Sequence, residues 1–283
     1  MAKVDLSGVT SGSFGYLREH FWDLAKVSLL PVLLCAVCFS ISGYFSFVQL
    51  KSLTEGSGDF ALNWIGFYFG LLPDFLVIWL WVRVVKFVYN DGAGTFEIRP
   101  SELKSSLFAI LYLLAALIPF AVLWIVMAVV IAVAAGGHVS GVIGLSLFVL
   151  IPATMVFALW YFARVSVSIV PVANGSRPNL FSQFVQASAG NNWGLVGRFL
   201  AMALLGFAVE LVVALPFFYF VSGKLYVLGK GASITEIAAV QLEMWQSFWP
   251  FVPVAAVLIW IYFLLQSVFV SLLAERFPRI GRA

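Results

Sequence analysis

Six stretches of this chain are long, continuous and apolar, at about residues 27–49, 61–85, 107–135, 142–170, 199–222 and 249–273. A helix of roughly 20 apolar residues covers the hydrocarbon core of a bilayer. Lipid offers no partner to a backbone N–H or C=O, so each stretch must close its hydrogen bonds internally as a helix. A membrane barrel would instead show short segments of alternating polarity, and these runs do not alternate. Composition agrees. Hydrophobic residues make up 63% and charged residues 10%, and the mean hydropathy is +1.04. A soluble domain carries roughly 25% charged residues, so this chain lacks the polarity to coat a water-facing surface. The expected fold is all-α: a polytopic transmembrane bundle of six helices in three hairpins, with short interfacial amphipathic helices.

The basic residues orient these spans. Of the 16 Lys and Arg, 13 fall on one side when the six stretches are threaded through a bilayer. They are Lys3, Arg18 and Lys26 before span 1, then Arg83, Lys86, Arg99 and Lys104 between spans 2 and 3. Arg164, Arg177 and Arg198 lie between spans 4 and 5, and Arg276, Arg279 and Arg282 follow span 6. The other side holds Lys51, Lys224 and Lys230. The positive-inside rule puts both termini in the cytoplasm, and a bacterial inner membrane is the expected location. The net charge of +3 then reflects orientation and contact with anionic headgroups. Nucleic-acid binding needs a dense basic patch, and these residues are spread thinly over four segments. Trp22, Trp160 and Trp193 fall near the basic interface, and Trp64, Trp245 and Trp249 near the opposite one, as an aromatic belt requires.

The expected organisation is a cytoplasmic or interfacial amphipathic segment (1–26), a six-span membrane domain (27–273) and a basic cytoplasmic tail (274–283). Residues 1–26 do not read as a cleavable leader, so span 1 is expected to stay as an uncleaved anchor. The tight loop at Gly136-Gly137-His138 makes spans 3 and 4 antiparallel neighbours. Three basic-side segments read as interfacial helices leading into the hairpins: Phe14–Trp22, Glu102–Leu107 and Leu180–Val185. The alternative is that these are the first turns of the spans. Arg83, Asn90-Asp-Gly92 and Arg99-Pro100 after span 2 are echoed by Arg164, Asn174-Gly175 and Arg177-Pro178 after span 4. Asn-Gly marks a turn in both copies. Residues 233–247 read as a helix on the other side, opened by a Ser233-Ile-Thr-Glu236 capping box.

Two acids stand near the middle of their spans, Asp74 in span 2 and Glu210 in span 5. Such residues usually face the bundle interior and mark ion, proton or substrate paths, and no basic residue shares their depth. The plainer alternative is structural, with each acid bonded to a neighbouring helix through Ser40, Ser42, Tyr44, Thr154 or Gln266, or Asp74 bonded to backbone freed at Pro73. Arg83, Arg164, Arg177 and Arg198 are candidates for lipid headgroups or a partner; snorkelling of Arg83 and Arg164 to phosphates is the expected role. Gly66 and Gly70 form a GxxxG packing face, for a helix of this chain or of another. Cys35 and Cys38 lie within span 1 and read as small packing residues. His20 and His138 lie on opposite sides and share no metal. No Walker A, nucleophile elbow or dinucleotide fingerprint is present, so neither a cofactor nor an enzymatic activity is expected.

One stretch carries a resemblance. Ala163-Arg-Val-Ser-Val-Ser-Ile-Val-Pro171, Asn174-Gly-Ser-Arg-Pro-Asn-Leu-Phe181 and Ser188-Ala-Gly-Asn-Asn-Trp193 together look like bacterial six-helix proteins related to the membrane domain of glycerophosphoryl diester phosphodiesterases. That family shows a proline-ended helix, a short link, and an amphipathic helix with a Ser…Gly…Trp pattern before the fifth span. Its catalytic barrel is a separate soluble domain, so the resemblance implies the membrane fold without phosphodiesterase activity. Two functions are expected from the whole reading. The first is a non-enzymatic accessory, assembly or scaffold component of a membrane complex, in contact with lipid and with a membrane-protein partner or a second copy. The second is a small proton- or ion-coupled transporter or channel built on Asp74 and Glu210.

Overall fold

The computed structural model describes residues 8–55, 61–89, 103–115, 118, 121–122, 125, 140–173, 192–222 and 233–276. Every regular element among them is helical: α1 (Val9–Glu19), α2 (Phe21–Thr54), α3 (Ala61–Tyr89), α4 (Leu103–Ala115), α5 (Ser140–Ala173), α6 (Asn192–Ser222), α7 (Ile234–Phe248), a single 3-10 turn (Trp249–Phe251) and α8 (Val252–Glu275). Among the described residues, three stretches are long and apolar enough to cross a membrane: Phe21–Thr54, Trp193–Pro216 and Thr235–Glu275. The turn at 136–138, the echoed turns at Asn90–Gly92 and Asn174–Gly175, the segment Leu180–Val185, Arg177 and the tail from 277 lie outside the described residues.

The chain divides into two compact units. One comprises Met1–Tyr16, Val85–Met202 and Val268–Ala283, the other Leu17–Val84 and Ala203–Ser267. In the first unit the buried side chains cluster where α3 ends, where α5 ends, where α6 begins and where α8 ends, from Val85 and Val88 through Val167 and Val170 to Leu195, Phe199, Phe269 and Leu273. In the second unit they include Leu24 and Val27 at the start of α2 and Val82 and Val84 on α3. These are the helix ends that carry Lys26, Arg83, Lys86, Arg164, Arg198 and Arg276. The opposite halves expose Leu, Val and Phe side chains, among them Leu33, Val37, Phe75, Leu211, Leu215 and Val254. An uncovered leucine costs nothing in hydrocarbon, so this polarity of burial suits a lipid environment and not water.

The interfacial segments come out differently from one another. The first is a helix of its own, α1, separated from α2 at His20. Val9, Ser13 and Leu17 share its buried face at a spacing of four. The first long helix starts at Phe21, six residues before the expected boundary at 27. The second segment is no separate helix, since α4 runs without a break from Leu103 to Ala115. Its leucines and its serines face opposite ways. Ser105 and Ser106 are buried while Leu103 and Leu107 are exposed, because hydroxyls rather than leucines need shelter from lipid. The expected helix at 233–247 is present and its capping box is complete. The Glu236 amide donates to Ser233 Oγ at 3.3 Å and the Ser233 amide donates to Glu236 Oε2 at 2.7 Å. This helix continues through the 3-10 turn into α8 and packs on α2.

Two antiparallel registers organise the second unit. Ser42 Oγ donates to the Gly66 carbonyl at 3.1 Å and Cys35 Sγ to the Pro73 carbonyl at 3.9 Å. These contacts lie seven residues apart on both α2 and α3 and run in opposite directions. Gly66 makes the approach possible: a Cβ there would sit 3.3 Å from Phe45 Cβ, and one at Gly70 would sit 3.5 Å from Ser42 Oγ. The GxxxG face therefore meets a helix of this same chain. On the other flank of α2, the Trp260 indole donates to Ser28 Oγ at 3.1 Å, and Gly43 leaves room for the Trp245 ring 3.9 Å away. Those contacts are fifteen residues apart on each partner.

Replacing Gly66 by Val should lower stability in detergent by roughly 1–3 kcal/mol through overpacking against Phe45. Gly197→Ala, where a Cβ meets nothing within 4 Å, should be neutral or slightly stabilising by helix propensity. Thermal unfolding followed by tryptophan fluorescence compares the two.

Candidate functional site

The two mid-helix acids lie in the second unit. Asp74 follows Pro73 on α3. Proline removes one backbone donor from the helix and its ring crowds the carbonyl four residues back. Pro73 is buried and its carbonyl accepts from Cys35. Each residue turns the helix by about 100°, so Asp74 turns away from Pro73, and it is exposed. Leu71, Leu72 and Phe75 are exposed around it. The carboxylate stays close enough to Cys35 to act on its thiol electrostatically.

Glu210 has the same character. One turn before it, Gly206 is buried against α8, and a Cβ there would collide with the Tyr262 hydroxyl. Glu210 acts electrostatically on Tyr262, yet it too is exposed, beside exposed Phe207, Leu211 and Val212. Neither carboxylate has a hydrogen bond or ion pair among the described residues; the ion pairs there are Lys26–Asp23 and Lys51–Glu55. Mid-span acids usually face a bundle interior, whereas Asp74 and Glu210 are both exposed within the second unit. The hydroxyls expected to bind them are engaged elsewhere, Ser40 with the Ala36 carbonyl at 2.8 Å and Ser42 with Gly66.

The basic residues occupy a different setting. Arg83 is 4% exposed, and its guanidinium carbon lies 5.8 Å from the centre of the Trp79 ring. It does not reach out to headgroups as a snorkelling arginine would. Arg164 sits over Trp160 at 3.7 Å. Both are Trp-x-x-x-Arg pairs on one helix, a spacing that stacks the two side chains one turn apart and favours cation–π contact. The i,i+4 spacing was the signal in the sequence that would have revealed them. Arg198 is half-buried, and its Nε has no hydrogen-bond partner among the described residues.

The first unit adds a polar seam that no motif announced. Lys86 Nζ donates to Ser105 Oγ at 3.3 Å, bringing the end of α3 to the start of α4. Tyr112 on α4 and Ser168 on α5 share a short buried hydrogen bond, and Ser168 Oγ also reaches the Val165 carbonyl at 3.0 Å. Phe199 meets Phe269 edge-on at 5.4 Å. At the basic ends Trp22 and Trp193 are 75% and 78% exposed; at the opposite ends Trp249 and Tyr219 are also exposed. No group of three or more His, Cys, Asp or Glu among the described residues could hold a metal ion.

No protein-family model, curated protein or solved structure matches the chain.

Removing the Tyr112 hydroxyl in Tyr112→Phe should cost about 1 kcal/mol, the usual net worth of one hydrogen bond, and more if Ser168 is left unsatisfied. Ser168→Ala combined with Tyr112→Phe should cost less than the two single losses added together. A double-mutant cycle on detergent unfolding measures this coupling.

Proposed function

We propose that this chain is a six-span protein of a bacterial inner membrane, with three hairpins and both termini in the cytoplasm. It acts as a non-enzymatic accessory, assembly or scaffold component of a larger membrane complex. The resemblance around 163–193 to the membrane domain of glycerophosphoryl diester phosphodiesterases belongs to the same reading. The observation that carries it is the exposure of Asp74 and Glu210. An ionisable side chain near the bilayer centre costs roughly 2.5–3.5 kcal/mol on the insertion scale, and nothing in the described chain offsets that cost. A second membrane protein covering these faces would.

A transporter or channel is the second reading, and one observation favours it. Each acid has a protic group within electrostatic reach, the Cys35 thiol for Asp74 and the Tyr262 hydroxyl for Glu210, and ionisable groups at mid-span depth mark proton paths.

Gentle detergent extraction followed by intact-complex mass spectrometry tests the first reading. The expected result is a stoichiometric membrane-protein partner. A lone monomer, together with proton flux in vesicles that Asp74→Asn and Glu210→Gln both abolish, would replace it with the transporter.

A further inference from the structure

We infer that Asp74 and Glu210 dock membrane helices of a different protein, each presenting a Lys or Arg near its own midpoint. This rests on the component reading and names the chemistry of the partner. The argument is one of charge and depth. Asp74 and Glu210 each lie within about a residue of the middle of their apolar stretch. Both are exposed, with no hydrogen bond or ion pair among the described residues, and both sit on surfaces that expose leucine and phenylalanine. An ionised carboxylate so placed is stabilised by a cation at its own depth.

Three sources of positive charge fail on position. The chain's own internal pairing fails, because the basic residue closest to a span middle is Arg164, eight residues off, or about 12 Å along a helix, and its guanidinium is stacked on Trp160. A second copy of this chain fails for the same reason, since the same 16 basic residues would arrive at the same depths. Lipid headgroups fail because they stay at the interfaces, about 15 Å from the centre. A foreign transmembrane helix with a mid-helix base meets the requirement, and the exposed leucines and phenylalanines around each acid give its apolar side chains a surface to pack on. Interior charges in membrane segments pair with one another in this way.

The test uses the full-length protein, fluorescently labelled and reconstituted in phosphatidylcholine vesicles. The probes are three leucine-rich transmembrane peptides with Lys, Leu or Glu at the central position, and energy transfer reports association. The central-Lys peptide should associate about fivefold more tightly than the all-leucine one, the size of an interhelical polar contact of about 1 kcal/mol. The double variant Asp74→Asn/Glu210→Gln should bring the two peptides level. The reversed variant Asp74→Lys/Glu210→Lys should instead prefer the central-Glu peptide, a gain that a misfolded protein would not produce. Equal association of the Lys and Leu peptides with the native chain overturns the inference. So does a native partner that stays stoichiometric with the Asn/Gln variant, and that result would leave the component reading intact. Central-Lys selectivity in a protein that extracts as a monomer supports the pairing while removing the component reading.

Discussion

In hydrocarbon every backbone donor and acceptor must be satisfied before a helix meets its neighbour, and the rest of this structure follows from that requirement. Helices that have closed their own ladders gain little from burying one apolar surface on another, because lipid is equally apolar. Association is left to close packing at small residues and to a few polar contacts. Gly66 lets α3 approach Phe45 on α2. Ser42 and Cys35 then reach over to backbone carbonyls of α3, and Trp260 reaches to Ser28. The remaining serines mostly bond their own helix, as Ser46 does to the Ser42 carbonyl and Ser267 to the Phe263 carbonyl. These hydroxyls are satisfied locally, and the two exposed carboxylates stand out against them.

Burial and positive charge coincide. The helix ends that bear arginine and lysine are also where the buried valines, leucines and phenylalanines gather. Two of these arginines lie over tryptophans one turn away, so part of their charge is held by aromatic faces and not by phosphates. Within each unit, the helix ends that carry basic residues are therefore also the packed ones. The opposite halves present leucine, valine and phenylalanine outward, where lipid or a partner helix can meet them equally well.

The all-helical class was legible in the amino-acid order, because apolar length is a local signal. The capping box at Ser233 and Glu236 was readable for the same reason, since it depends on four consecutive residues. The GxxxG pair was visible as a packing face, but which helix it meets depends on tertiary register, and only Phe45 and Ser42 identify α2. The orientation of Asp74 and Glu210 was not legible. The helical periodicity of a span that is apolar all round gives no inner and outer face, so depth could be read and direction could not. With lipid outside, Ser105 and Ser106 turn in and Leu103 and Leu107 turn out. The Trp-x-x-x-Arg pairs are legible only when each arginine is read together with the residue one turn before it.

The length of α2 has its own consequence. At 34 residues it spans about 51 Å, against a hydrocarbon core of about 30 Å. Gly43 lies eleven residues before the end of α2, and Trp245 lies eleven residues after the start of α7. Antiparallel helices touching there finish level with each other. Away from the packed basic ends, the two helices together form a short two-stranded post capped by charged and hydroxyl groups: Lys51, Glu55, Ser233 and Glu236. The post is continuous in both helices with the Ser28–Trp260 hydrogen bond, so one seam ties its tip to the packed start of α2.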